Sequence, residues 1–142
     1  MLKIWWGTFW RLAVIWVVFS IPLMLLYSLI EPTDLSIKIK PTVFYLFIAF
    51  LMLLLSNLKK INVYVWKRII PEAFAITITL IIAALAFLSS LLNLALIFSV
   101  STEQWINAKM SLGLFMFVIT PLIASIIINY KQSNDSDIDA KT

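Results

Sequence analysis

The sequence predicts an all-α integral membrane protein, a compact four-transmembrane-helix bundle with both termini on the cytoplasmic side (N-in/C-in). Three observations predict it. The blocks Leu12–Ile30, Thr42–Leu58, Phe74–Val100 and Met110–Tyr130 are apolar, and no Asp, Glu or His falls inside them. Hydrophobic residues make up 63% of the chain and charged residues 13%, more apolar surface than a soluble domain of this length can hide. The basic residues, finally, fall unevenly between the connections.

The first eleven residues, MLKIWWGTFWR, set Trp5, Trp6 and Trp10 ahead of the first block, with Arg11 placed to snorkel toward phosphate. Lys3 before an apolar run also fits a secretory signal, but Leu29-Ile30-Glu31-Pro32 is no small-x-small cleavage site, so a retained helix is expected. Pro22 and Pro121 predict kinks in the first and fourth helices. The next connection, EPTDLSIKIKP, alternates Leu35, Ile37 and Ile39 with Ser36, Lys38 and Lys40, which predicts a short strand or extended strap. The second block, Thr42–Leu58, is near the lower length limit for a span.

The middle connection, KKINVYVWKRIIPE, joins four cations to Ile61, Val63, Val65, Trp66, Ile69 and Ile70. Its alternation suits an extended segment, with a short interfacial helix as the alternative; either form suits anionic lipid or a cytoplasmic partner. Pro71 and Glu72 then suit the first turn of the third helix. That helix is long, about 40 Å if straight against about 30 Å of hydrocarbon, so tilt is expected. Ser101–Lys109 forms the last connection, with Thr102 and Glu103 available to cap a short helix containing Trp105. Trp66 and Trp105 read as further aromatic anchors at the membrane boundary. Residues 1–130 thus form the transmembrane domain with an interfacial N-terminus, and 131–142 a mobile polar cytoplasmic tail.

Topology follows from charge. Lys3, Arg11, Lys59, Lys60, Lys67, Arg68 and Lys131 lie on one side, and Lys38, Lys40 and Lys109 on the other. The richer side is read as cytoplasmic, and a bacterial inner membrane fits the tiny connections. Each span also carries a small or mildly polar stripe. In the third helix it is Ala75, Thr79, Ala83, Ala86, Ser90 and Asn93, of which Thr79, Ala83, Ala86, Ser90 and Asn93 are the predicted helix-packing residues. The other stripes are Ala13, Trp16, Ser20, Met24 and Tyr27; Thr42, Tyr45, Ala49, Met52 and Ser56; and Gly113, Thr120 and Ala124. Asn93 needs a partner at membrane depth, and helix packing is its expected role.

Function is reached by elimination. The spans hold no titratable carboxylate of the kind ion-coupled transport uses. In size the chain resembles small four-helix exporters that act as dimers, without the acidic residue in their first span; lacking cysteine, it also departs from four-helix quinone-linked disulfide enzymes. No metal-ligand spacing is present, Asp135, Asp137 and Asp139 lack the rest of a calcium loop, and no serine has a base nearby in sequence. The expectation is therefore a non-catalytic accessory or regulatory subunit of a larger cytoplasmic-membrane transport, secretion or envelope-biogenesis complex, without a cofactor. Its partners would be membrane lipids and a larger integral membrane protein, with no nucleic acid. The predicted docking residues are Trp6, Trp10, Trp16, Tyr64, Trp66, Lys67 and Arg68. The alternative is a homo-oligomeric channel or a small lipid- or substrate-binding transporter.

Overall fold

A computed structural model describes residues 2–29, 33–67 and 69–139, with the backbone alone at 27, 131, 132 and 134–139. Among these residues the chain is an all-α bundle with four helices long and apolar enough to cross a membrane. In order these are α1 (Leu2–Ser28), α2 (Asp34–Asn57), the short α3 (Lys59–Trp66), α4 (Ala75–Ser99), α5 (Thr102–Leu114) and α6 (Thr120–Asp139). A 3₁₀ turn at Glu72–Phe74 leads into α4, and a π turn at Phe115–Ile119 joins α5 to α6 within one interrupted span, Thr102–Tyr130.

Two connections read first as extended are helical, the second in the form of the short helix given as its alternative. The segment read as a strap is the first part of α2, which starts at Asp34 and runs through Pro41. Thr33 caps it: its side chain accepts from the Ser36 amide while the Ser36 hydroxyl accepts from the Thr33 amide. Asp34 bridges Lys38 at 2.8 Å, an acid-before-base pair one turn apart in the orientation the helix dipole favours. The middle connection is helical as well. A lone strand there would leave its backbone groups unpaired, whereas a helix satisfies them internally and buries Asn62 and Trp66 together one turn apart. Ser101 and Gln104, rather than Thr102 and Glu103, form the cap of α5. At the far end α6 carries the backbone to Asp139; residues 140–142 lie outside the described residues, as do Ile30, Glu31, Pro32 and Arg68.

Helices α2 and α4 make the most extensive contact in the bundle. Lys38, Thr42, Tyr45, Ala49 and Met52 are buried on α2 at alternating steps of four and three. Ala75, Thr79, Ile82, Ala86, Ser89 and Asn93 are buried on α4 in a similar rhythm. This is the spacing of a left-handed helix seam, and its small residues admit close backbone approach. The helices run antiparallel, since Ser90 reaches Thr42 while Asn93 reaches back to Lys38.

Helix α1 is held differently. Ile4, Thr8 and Leu12 are buried at steps of four, so its first half carries the contact. Gly7 permits it: a Cβ there would come within 2.5 Å of Ile69 Cδ1. The later stripe is only partly covered: Ala13 and Ser20 are half-buried and Trp16 meets Phe44 and Phe117, while Met24 is exposed and Tyr27 is described by its backbone alone. Only 6% of the most apolar stretch of α1 is buried, against 39% of that in the α4 span.

The seam generates a contrast. Ala86→Leu overfills it and is expected to cost about 1–3 kcal/mol, whereas Leu88→Ala on the outward face changes stability by less than about 0.5 kcal/mol. Unfolding by sodium dodecyl sulfate in mixed micelles measures both, and equal effects would refute the seam.

Candidate functional site

Two hydrogen-bonded hubs fix α4 to its neighbours. At the end near the start of α2, Asn93 donates to Thr42 Oγ1 at 2.7 Å and to the Lys38 carbonyl at 3.1 Å. Its own Oδ1 accepts from the Trp105 indole at 3.1 Å. One amide therefore ties α2, α4 and α5 together, and Ser90 adds a bond to the Thr42 carbonyl at 3.1 Å. Thr102 reaches Asp34 at 3.4 Å across the same end.

The other hub centres on Thr79. The Trp66 indole donates to its hydroxyl at 2.8 Å, and that oxygen lies 2.9 Å from both Asn62 Oδ1 and the Ala75 carbonyl. A hydroxyl has one proton and cannot serve both. With Asn62 Oδ1 facing Thr79, the buried Asn62 Nδ2 has no acceptor among the described residues. Turning the amide over lets its NH₂ donate to Thr79, whose proton then goes to Ala75, and the donor conflict disappears.

Pro41 and Pro121 lack an amide hydrogen, so neither donates to the preceding turn. In both, the carbonyl three residues earlier accepts from another helix. Lys38 accepts from Asn93, and Val118 accepts from the Trp5 indole at 3.2 Å. The π turn directly precedes Pro121, and Thr120 bonds back to the Phe115 carbonyl. A side chain from a neighbouring helix thus adds a bond within the turn before each proline.

Arg11 clamps α1 to the end of α3. Its Nε donates to the Val65 carbonyl at 2.5 Å, and its other nitrogens reach Gly7 and Lys67 carbonyls at 3.4 and 3.5 Å. The guanidinium lies 6.0 Å from the Trp66 ring centroid. A cation is favourable there, where the helix dipole leaves partial negative charge. Arg11 is thus held within the chain as well as lying near a predicted flank.

The predicted docking residues separate. Trp66 is 0% exposed and Trp105 2%, so these rings are internal donors rather than boundary anchors, and Trp66 is withdrawn from the docking surface. An indole buries a large apolar body once its single N–H has an acceptor, and Thr79 and Asn93 supply those acceptors. Trp6, Trp10, Trp16, Tyr64 and Lys67 are exposed, while Arg68 lies outside the described residues. Trp6, Phe9 and Trp10 form a ladder with ring centroids 5.6–5.7 Å apart. Beside it run two adjoining grooves. One, of about 480 Å³, is lined by Trp10, Arg11, Leu51 and Val65 among others; the next, of about 400 Å³, by Arg11, Tyr64, Val65 and Lys67. The ladder and grooves form one strip along α1 and α3. Trp16 stands apart, edge-on to Phe44 and Phe117.

The predicted packing residues Thr79, Ala83, Ala86, Ser90 and Asn93 are all buried. Arg11, Trp5 and Asn62 carry contacts for which the sequence reading had no specific partner. Arg11 beside Gly7, one helical turn apart, was the available signal of a close approach. Compared with known proteins, the chain matches no family model, no curated protein and no solved structure.

Removing a hub should be costly despite the modest strength of hydrogen bonds between membrane helices, about 0.6 kcal/mol on average. Asn93→Leu leaves the Trp105 N–H and the Lys38 carbonyl without that partner, and a loss of about 1–3 kcal/mol is expected. Ser56→Ala removes only a local bond to the Leu53 carbonyl and should be nearly silent. Detergent-unfolding midpoints compare them; equal stability of the two variants would remove the hub from the account.

Proposed function

We propose that this chain is a non-catalytic accessory or regulatory subunit of a larger transport, secretion or envelope-biogenesis complex in a bacterial cytoplasmic membrane. It docks through Trp6, Trp10, Tyr64 and Lys67. The observation that carries the reading is the strip itself: the exposed Trp6 and Trp10 rings, edge-on to each other and packed with Phe9, beside two grooves that share Arg11 and Val65. In lipid, exposed Leu or Val selects no partner, because acyl chains are equally apolar. Indoles and a phenol are among the side chains that dominate interface energies, and rings already packed against one another lower the ordering cost.

The pore reading is disfavoured by the use already made of polar side chains. Thr79, Ser90 and Asn93 are buried and bonded to α2, α3 or α5 within a single chain, which removes them as a pore lining. A copy-by-copy channel would need those bonds broken or other polar residues in their place.

The membrane orientation we propose puts both termini and α3 in the cytoplasm, and Thr33 and Ser101 at the opposite face. Its support is the basic asymmetry, Lys3, Arg11, Lys59, Lys60, Lys67, Arg68 and Lys131 against Lys38, Lys40 and Lys109. The chain contains no cysteine, so single-cysteine variants report without background. Lys60→Cys in intact cells should resist a membrane-impermeant maleimide, and Glu103→Cys should react. The reverse pattern inverts the orientation.

The docking reading is tested by recovering the tagged full chain in mild detergent. A larger membrane protein should accompany it at fixed stoichiometry. Trp6→Ala with Trp10→Ala should lower recovery on the order of tenfold or more, the scale of losing an interface hot spot. Phe98→Ala, 78% exposed on α4, should not. A chain that stays partner-free and monomeric would overturn the proposal.

A further inference from the structure

A separate groove of about 330 Å³ opens where α1, α2 and α5 meet, bordered by Trp16, Ser20, Phe44, Tyr45, Gly113 and Phe117 among others. Ligand sites of this kind are mostly apolar, with a few polar groups that fix orientation. We infer that this groove binds a membrane-dissolved quinone, whose flat ring lies against Trp16, Phe44 and Phe117 while one ring carbonyl accepts from the Tyr45 hydroxyl.

Tyr45 lies in the apolar block of α2 and is only 6% exposed, yet nothing among the described residues hydrogen-bonds its hydroxyl. A buried phenol in a protein interior usually has a partner. On the same face of α2, Lys38 and Thr42 both have theirs, in Asp34 and Asn93. Asn62 Nδ2 is the one fully enclosed side-chain polar atom without a partner among the described residues, so the Tyr45 hydroxyl is reachable, and the groove is the opening that Tyr45 borders. The other polar side chains there are already occupied. Ser20 donates its proton to the Val17 carbonyl at 3.1 Å, Lys40 has a contact of its own, and the Lys109 ammonium rests 5.3 Å from the Trp105 ring centroid. Tyr45 is the donor left over, and an unmet O–H calls for a ligand that brings an acceptor.

The walls choose among acceptors. Trp16 stands nearly perpendicular to Phe44 and to Phe117, at 80° and 88°, and is still 42% exposed, so ring surface remains uncovered. Such surface offers an acyl chain no more than the surrounding lipid does. A flat conjugated ring gains by stacking on it. Gly113 makes room for that ring. Small residues in membrane helices normally let another helix approach, as Gly7 does for the segment carrying Ile69, but a Cβ on Gly113 would meet nothing within 4 Å. An apolar ring that carries carbonyls and dissolves in hydrocarbon is the chemistry of a quinone.

Calorimetric titration of the full chain in mild detergent tests the assignment with probes that share a decyl tail: decylubiquinone, decylbenzene and decyl acetate. Wild-type chain should hold the quinone at least about fivefold more tightly than either of the others, the scale of one hydrogen bond with ring stacking. Tyr45→Phe removes a hydroxyl that bonds nothing in the protein, so the free chain should keep its thermal midpoint while the quinone falls to within about twofold of decylbenzene. Tyr130→Phe, on an exposed phenol, should keep the preference. Gly113→Leu fills the groove and should weaken the quinone at least about tenfold. Equal affinity for quinone and decylbenzene, decyl acetate binding as tightly as the quinone, or a preference untouched by Tyr45→Phe would overturn the proposal. A lowered midpoint in free Tyr45→Phe would also do so, by showing the hydroxyl to be bonded within the protein. Should Gly113→Leu fail to fold, Tyr45→Phe decides.

Discussion

A polar side chain at membrane depth has no water to bond, so each one placed there must find its partner within the protein or against a ligand. In this chain that requirement converges on α4. Asn93 at one end and Thr79 at the other each accept an indole proton, from Trp105 and Trp66. Each hub brings in a further segment, α2 through Thr42 and α3 through Asn62. The seam between the hubs is built from Ala, Ile, Ser and Tyr side chains that let α2 and α4 come close. Packing sets the distance between these helices, and Asn93 with Ser90 fixes their register.

The turns before Pro41 and Pro121 each receive a bond from another helix, through Asn93 and Trp5. Helix α1 is tied near its start by Trp5 on Val118, Gly7 against Ile69 and Arg11 on the end of α3, and farther along by ring contacts of Trp16 with Phe44 and Phe117 and of Phe19 with Phe47. Beyond Leu12 it is sparsely covered. A helix with one well-buried end and a thinly covered remainder is suited to meeting other molecules, in contrast to the α2–α4 pair.

The four apolar helices and the buried face of α4 were legible in the sequence, because uncharged blocks and small-residue spacing carry direct physical meaning in lipid. Asn93 was legible for the same reason. The roles of Trp66 and Trp105 were not. An indole near a block boundary suits both the headgroup layer and the interior, and only the acceptors on Thr79 and Asn93 decide between them. The start of α2 was obscured by the alternation of Leu35, Ile37 and Ile39 and by Pro41; the local capping by Thr33 and Ser36 was the stronger signal. Gly113 read as a packing glycine because spacing reveals a face but not what stands opposite it. The strip on α1 and α3 depends on contacts distant in sequence, Arg11 with Val65 above all.

The central claim is that an internal amide–indole bond fixes the register of the bundle. A double-mutant cycle with Trp105→Phe and Asn93→Leu, read by reversible unfolding in mixed micelles, addresses it directly. The account predicts a coupling energy on the order of 1 kcal/mol between the two positions. Strict additivity, within about 0.3 kcal/mol, would contradict it and return Trp105 to the membrane surface.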